Sequence, residues 1–324
     1  MANIREIARL AGVSVSTVSR VLNDHPYVSE EKRNIVLNTI EQLEYSPNMN
    51  AVHLSRGKTR MVGVVLPTIN HPYFSGLLEG IAEGSMEHNF QVVLFQTDYR
   101  TGQELEALEQ LRGRLIDGVI FCSRAIDYSV LLNYKKFGPI VLCEDLEQIE
   151  FPSVSIEHVK AFNLGLDYLA SAGHRKIAIG LGRLDGTNSQ KRISAYKLKL
   201  DELSEPVRTE WIMNMCLTIQ DGRKVINKYL EWEEKPTAFL VGNDQVAAGL
   251  IAEAMNKSLK IPADFAVLSF DNHPISEIMG ITTIEIPTKR LGLTAFNAFL
   301  ERMYDSDFNY KKILPFKLHE RKTV

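Results

Sequence analysis

Ile4-Arg-Glu-Ile-Ala-Arg-Leu-Ala-Gly-Val-Ser-Val-Ser-Thr-Val-Ser-Arg-Val-Leu-Asn23 is the stretch on which the reading of this chain turns. It divides into two short helices around a tight turn. Ile7, Ala11, Val13, Val18 and Val21 have the spacing that lets two crossed helices share one small core. Ala8 falls at their closest approach. Gly12 falls where the chain leaves the first helix, a place that needs positive φ at little steric cost. Ser14 is positioned to cap the second helix, and Asn3 the first, with Glu6 at the reciprocal position. This is the pattern of a helix-turn-helix, whose second helix lies in the DNA major groove.

Around this head, 324 residues provide for two or three domains with sizeable cores. The formal net charge of −3 hides a split. Residues 1–60 carry eight basic and six acidic side chains, a net of +2, and the remainder carries −5. Such an excess permits phosphate contact without requiring it. Cys122, Cys143 and Cys216 lie in separate apolar runs with no CxxC pair, as expected of buried, reduced thiols in a cytoplasmic protein. No signal peptide is expected, and no apolar run approaches the ~20 residues needed to span a bilayer.

A third helix is expected from Ser29, with Ser29 as its cap, Glu30 and Glu31 in its first turn, and Val36, Ile40 and Leu43 as its apolar stripe. It should end near Tyr45-Ser-Pro47, because proline disfavours helix in the residue before it. The head is therefore placed at 1–46. A hinge helix and basic linker follow at 47–60. From Met61 the texture becomes strand and helix in alternation. Apolar runs at 61–67, 90–95, 117–121, 140–143, 176–180, 211–215, 238–241 and 266–270 read as buried strands separated by helical segments. The expected fold is a small all-α head plus two α/β subdomains with open parallel sheets. The first subdomain is placed at about 61–158 plus 290–324, the second at about 159–289. Ligands of such sheets bind just past the carboxyl ends of the strands.

The head stretch resembles the LacI/GalR family of bacterial transcription regulators. So do Val28-Ser-Glu-Glu-Lys32, Tyr45-Ser-Pro-Asn48, Asp117-Gly-Val-Ile120, Ser171-Ala-Gly-His-Arg175, Gly242-Asn-Asp244 and Ser269-Phe-Asp-Asn272. The likeness spans nearly the whole chain, and the family's body resembles periplasmic sugar-binding proteins. It implies base reading by Val15, Ser16 and Arg20. Arginine donates twice to guanine, serine bonds tolerantly, and valine touches a thymine methyl. Thr17 and Ser19 suit phosphates, and Asn23 and Asn48 are assigned to DNA with them. Leu54 is implied to wedge into the central minor-groove step from the hinge helix. Asn50 and His53 are more polar than the family's usual hinge pattern. For the effector, the resemblance implies Glu144, Arg192, Asn243 and Asp271 as polar grips and Phe74 as a stacking surface. A small sugar is implied, with a maltose-type disaccharide suggested by the general look of the body. It also implies a homodimer on a pseudo-palindromic operator, and the tail after Leu318 lacks the leucine heptads of tetrameric relatives.

Two rival classes remain. An α/β enzyme is disfavoured because Pro67-Thr-Ile-Asn-His-Pro72 has no glycines for a dinucleotide loop. The eight histidines also lack metal-ligand spacing. No cofactor and no metal are expected. A catabolite-control-type regulator that uses a phosphorylated carrier protein as corepressor is the alternative within the family. Repression of carbohydrate-utilisation genes is the leading expectation, since occupying a promoter blocks polymerase without further contacts.

Overall fold

Asn3 and Ser14 start the first two helices as their side chains dictate. The computed structural model describes residues 3–23, 25–45, 57–146 and 150–324. It divides into two units, Met1–Thr59 and Arg60–Val324. In the first unit α1 (Ile4–Leu10) is capped by Asn3, which accepts from the backbone of Arg5 and Glu6. In α2 (Val15–Leu22), Ser14 accepts from the Thr17 N–H at 3.1 Å. Gly12 turns between them at φ +63°. The third helix, α3 (Glu30–Gln42), begins after Ser29, but the Ser29 hydroxyl makes no cap bond, contrary to the sequence expectation. Its first-turn glutamates meet the positive end of the dipole instead. Ile7, Ala8, Ala11, Val18, Val21 and Val36 form the head's core. The hinge residues Asn48 and Leu54 lie outside the described residues.

The second unit carries two six-stranded sheets. Its elements are β1 (Met61–Leu66), α4 (Pro72–Glu87), β2 (Gln91–Gln96), α5 (Thr101–Arg112), β3 (Gly118–Phe121), α6 (Tyr128–Tyr134), β4 (Ile140–Leu142) and β5 (Ser153–Ser155). Then come α7 (His158–Ser171), β6 (Ile177–Gly180), α8 (Thr187–Glu202), β7 (Ile212–Met213), α9 (Ile219–Glu231), β8 (Ala238–Val241), α10 (Asp244–Asn256) and β9 (Ala266–Phe270). The chain closes with α11 (Pro274–Met279), β10 (Thr282–Glu285), α12 (Thr288–Tyr304), β11 (Lys311–Ile313) and β12 (Lys317–His319). The sheet orders are β11-β5-β4-β3-β1-β2 and β12-β10-β9-β8-β6-β7. Pairing is parallel except between β10 and β12. Both faces of each sheet are covered, which is why the central strands read as unbroken apolar runs.

The chain crosses between the lobes at 156–158, at 286–288 and again at 314–316. The last crossing corrects the sequence reading, which assigned all of 290–324 to the first lobe. α12 and β11 do join the first sheet, but β12 pairs with β10 of the second. Thr323 then ties the tail there, donating to Val267 O at 2.6 Å and accepting from Thr282 N–H at 2.8 Å. The strands β5, β10, β11 and β12 lack a long apolar run, so periodicity does not reveal them.

Helices α4 and α12 touch backbone to backbone at Gly80. A Cβ there would stand 1.9 Å from Lys289 O and 2.7 Å from Leu293 N. Gly80→Ala must part the two helices. The expected cost is at least about 1–3 kcal/mol, read as a lower melting temperature; unchanged melting would contradict the close approach.

Candidate effector cleft and DNA-reading helix

On α2 the side chains sort by face. Val18 and Val21 are buried, whereas Val15, Ser16, Arg20 and the cap residue Asn23 are exposed. Val15 is 43 % exposed, so its side chain faces outward from the first turn of α2. Thr17 and Ser19 are half-buried. The Ser14 hydroxyl lies 2.8 Å from those of both Ser16 and Thr17, forming a hydroxyl cluster at the helix start. Asn23 Nδ2 donates to Ser19 O at 2.8 Å. The Arg20 carbonyl accepts from the His25 N–H at 2.9 Å, but its guanidinium has no hydrogen-bond or ion-pair partner among the described residues.

In the second unit the residues past the strand ends form the cleft between the lobes. Asp271 follows β9 in a strained turn, with φ +100° there and +53° at Asn272. Fully buried Asp244 holds this turn. Its carboxylate accepts from the hydroxyls of Ser269 and Thr283 and, at 2.6 Å, from the His273 N–H. Asp271 Oδ2 itself is buried with no partner. Burial, and then the charge of Asp244, push the Asp271 carboxyl up to about 8, against the attraction of Arg192. Arg192 lies on α8, its guanidinium 5.4 Å from the Phe270 ring centre and 5.8 Å from that of Phe162. These two rings are nearly parallel, so they give the guanidinium an aromatic floor. Arg192 also donates to His158 Nδ1 at 3.5 Å, while its Nε is buried and unpartnered. Burial lowers His158 to about 3, which keeps it a neutral acceptor.

On the first-lobe side, Glu144 pairs with Arg124 at 3.1 Å. Arg124 donates further to Ile126 O at 2.6 Å, and its Nε is likewise buried without a partner. Glu104, fully buried on α5, fixes this loop by accepting from the N–H groups of Ala125 and Ile126. Burial raises the Glu144 carboxyl above its ordinary range, and Arg124 opposes the shift. A cavity of about 480 Å³ reaches Asp271 and is walled by the crossing segment Ile286-Pro287-Thr288. A larger hollow of about 630 Å³ lies between α7 and α8 and contains none of these side chains.

Two assignments change. Phe74 is only 8 % exposed and packs in the core with Leu77 and Ile81, so it offers no stacking face. Its neighbour Tyr73 is the half-buried one, and its hydroxyl feels the charges of both Arg192 and Asp271. Successive helical residues point about 100° apart, so one register step separates core from cleft. Asn243 is 1 % exposed and its amide is committed to protein. It caps α10 by accepting from Val246 N–H, donates to Leu217 O at 3.1 Å, and lies 3.3 Å from His71 Nε2 across the cleft. Cys122, Cys143 and Cys216 are buried free thiols. Among the described residues, no helix is long and apolar enough to cross a membrane, and no cluster of His, Cys, Asp and Glu could hold a metal.

Comparison with known proteins decides the family. A family profile described as periplasmic binding proteins and sugar binding domain of LacI family matches residues 59–317. A second, described as bacterial regulatory proteins, lacI family, matches residues 3–48. The chain belongs to the LacI family. It is a DNA-binding transcriptional regulator and not an enzyme. It is 50 % identical to the HTH-type transcriptional regulator YkvZ of Bacillus subtilis (strain 168) over the full length of both chains. It is 34 % identical to catabolite control protein A of Priestia megaterium, over 93 % of this chain and 92 % of that one. In fold it is similar to the lac repressor dimer bound to operator and the anti-inducer ONPF. That likeness has a TM-score of 0.83 at 24 % identity and covers 99 % of this chain and 98 % of the other.

Within this LacI-family architecture, three polar residues escaped the sequence reading. Arg124 sits two residues past Cys122 and satisfied the strand-end rule as well as Glu144 did. His71 and Asp244 are helix-start residues whose importance rests on partners 172 and up to 39 positions away. The motif Gly242-Asn-Asp244 marks the place of Asp244 but not the distant partners that give it its role.

Proposed function

We propose that this regulator represses carbohydrate-utilisation genes as a cytoplasmic homodimer on a pseudo-palindromic operator, and is released by a small sugar. The observation that carries the effector reading is the set of orphaned polar atoms in the cleft. Arg192 Nε, Asp271 Oδ2 and Arg124 Nε are buried donors and acceptors without protein partners. Each such atom costs free energy until something bonds it. An acceptor facing a cation, above an aromatic floor, suits neighbouring hydroxyl groups, which donate to Asp271 and accept from Arg192. The solved regulator CelR is a complex with cellobiose, and its likeness to this chain (TM-score 0.71) is one of fold. A regulator from Enterococcus faecium, 25 % identical, holds ribose. On DNA, Val15, Ser16 and Arg20 read bases, Thr17, Ser19 and Asn23 contact phosphates, and Asn48 and Leu54 act from the hinge.

Switching follows by mass action. A sugar that binds one lobe arrangement better shifts the population of the DNA-gripping form by no more than its differential affinity. A thermal-shift panel of mono- and disaccharides on the whole chain tests this. A matching sugar at 100 times its Kd adds about 2.7 kcal/mol, and it should weaken operator binding in the same titration. A second reading is favoured by relatives named catabolite control protein B and A, at 37 % and 34 % identity. A panel without any shift, together with operator binding strengthened by a phosphorylated carrier protein, would select that reading instead.

A further inference from the structure

We propose that Tyr99 and Arg183 form a latch that holds the two lobes closed at the cleft lip farthest from the chain crossings. Strand order places it there. The three crossings run from β5 into α7, from β10 into α12 and from β11 to β12. The strands they leave or reach, β11 and β5 in the first sheet and β12 and β10 in the second, sit together at one edge of each. Tyr99 follows β2 at the opposite edge of the first sheet, and Arg183 follows β6 next to the opposite edge of the second. No covalent link restrains this side. Here the Arg183 guanidinium stands 4.0 Å from the centre of the Tyr99 ring.

Tyr99 is presented rather than merely nearby. Asp98 and Tyr99 both take left-handed backbone, at φ +52° and +59°, although neither is glycine. Consecutive residues in that region persist only where surrounding bonds impose them. The imposing bonds run from the N–H groups of Thr97, Asp98 and Arg100 to Leu66 O, Pro67 O and Thr97 O. Across the lip, Arg183 Nε pairs with the exposed Asp185 Oδ1 at 3.1 Å, a surface contact that adds little of its own to the stacking on Tyr99. Arg183 is 33 % exposed, so water can replace the ring when the lobes part. A contact of this kind is strong enough to bias an equilibrium and weak enough to open.

The latch also communicates with the polar cleft. Ser123 donates to the Tyr99 hydroxyl at 3.4 Å, and the next residue is Arg124, the partner of Glu144. The contact between His71 and Asn243 spans the same gap nearby. A molecule held by Arg124 and Glu144 would therefore sit behind a closed lip. The latch depends on no particular effector.

Hydrogen exchange by mass spectrometry on the whole chain, with no ligand added, tests it independently of the sugar reading. Arg183→Gln should speed exchange about three- to tenfold in the opposite lobe, at residues 97–100 and 68–72, with β3 and β8 unchanged. Tyr99→Leu should produce the reciprocal change at residues 182–186. Arg183→Lys, which keeps the charge without the planar face, should fall between wild type and Arg183→Gln. Acceleration confined to the mutated loop in both variants, or spread evenly through both sheets in both, overturns the proposal.

Discussion

Asp271→Asn should raise the stability of the body and abolish the effector response in the same protein. In the folded chain burial lifts the Asp271 carboxyl from its ordinary 3.8 to about 8. Between about pH 4 and pH 8 the folded state therefore holds a proton that the unfolded chain has released. A group with this sign makes stability fall as pH rises through the window and level off above it. The upper limit is about 1.4 kcal/mol per pH unit, and on the order of 2–4 kcal/mol at pH 8 remains after discounting residual hydration. An amide of the same shape removes the slope. Thermal melts from pH 4 to pH 9 should show the variant level with wild type near pH 4 and about 5–10 °C above it at pH 8. Parallel curves would refute the assignment. Because hydroxyl donation favours the carboxylate, wild-type affinity for the sugar should climb between pH 6 and pH 8. The variant, left without that acceptor, should no longer bind the sugar. Stability surrendered for binding is an expected feature of ligand sites.

Arg20→Ala should cost operator binding about 1–3 kcal/mol per half-site, and a dimer suffers the loss twice. The combined effect is a drop of roughly 10² to 10⁴ in affinity at fixed salt. The form of the loss matters as much as its size. If Arg20 reads guanine, selection of preferred sites should show relaxed specificity at one base pair per half-site, with the salt dependence nearly unchanged. A phosphate contact would instead weaken all sequences evenly and flatten the salt slope by about one unit. Titration against the wild type's selected site and against variants of it distinguishes the two. The exposure of Arg20 and the lack of a side-chain partner among the described residues leave the guanidinium available for either role.

The sequence carried the head almost completely because its information is local. Caps, a turn glycine and an apolar stripe act within a few residues, and Asn3, Ser14 and Gly12 behave as their chemistry requires. Ser29 is the exception, a cap position whose hydroxyl makes no cap bond. The buried strands were equally plain, since a sheet covered on both faces demands unbroken apolar runs. The rule that ligands gather past strand ends singled out Glu144 and Asp271, which do lie just past β4 and β9.

What the rule could not supply was the direction of each side chain. It pointed to the segment after β1 but chose Phe74 over Tyr73, a difference of one helical step. It gave Asn243 to the effector, whereas the amide is spent on capping α10 and bridging to Leu217 and the His71 side.

By itself, then, the sequence determined the two-part architecture, the helix-turn-helix and the strands whose ends frame the cleft. These follow from helical and strand periodicity and from backbone hydrogen-bonding needs that neighbouring residues satisfy. Only the tertiary structure decided which polar atoms are left unbonded, where the tail crosses to β12, and how Tyr99 meets Arg183. Those outcomes depend on pairs far apart in the chain, and burial sets their energies. Burial is a property that no single stretch of sequence possesses.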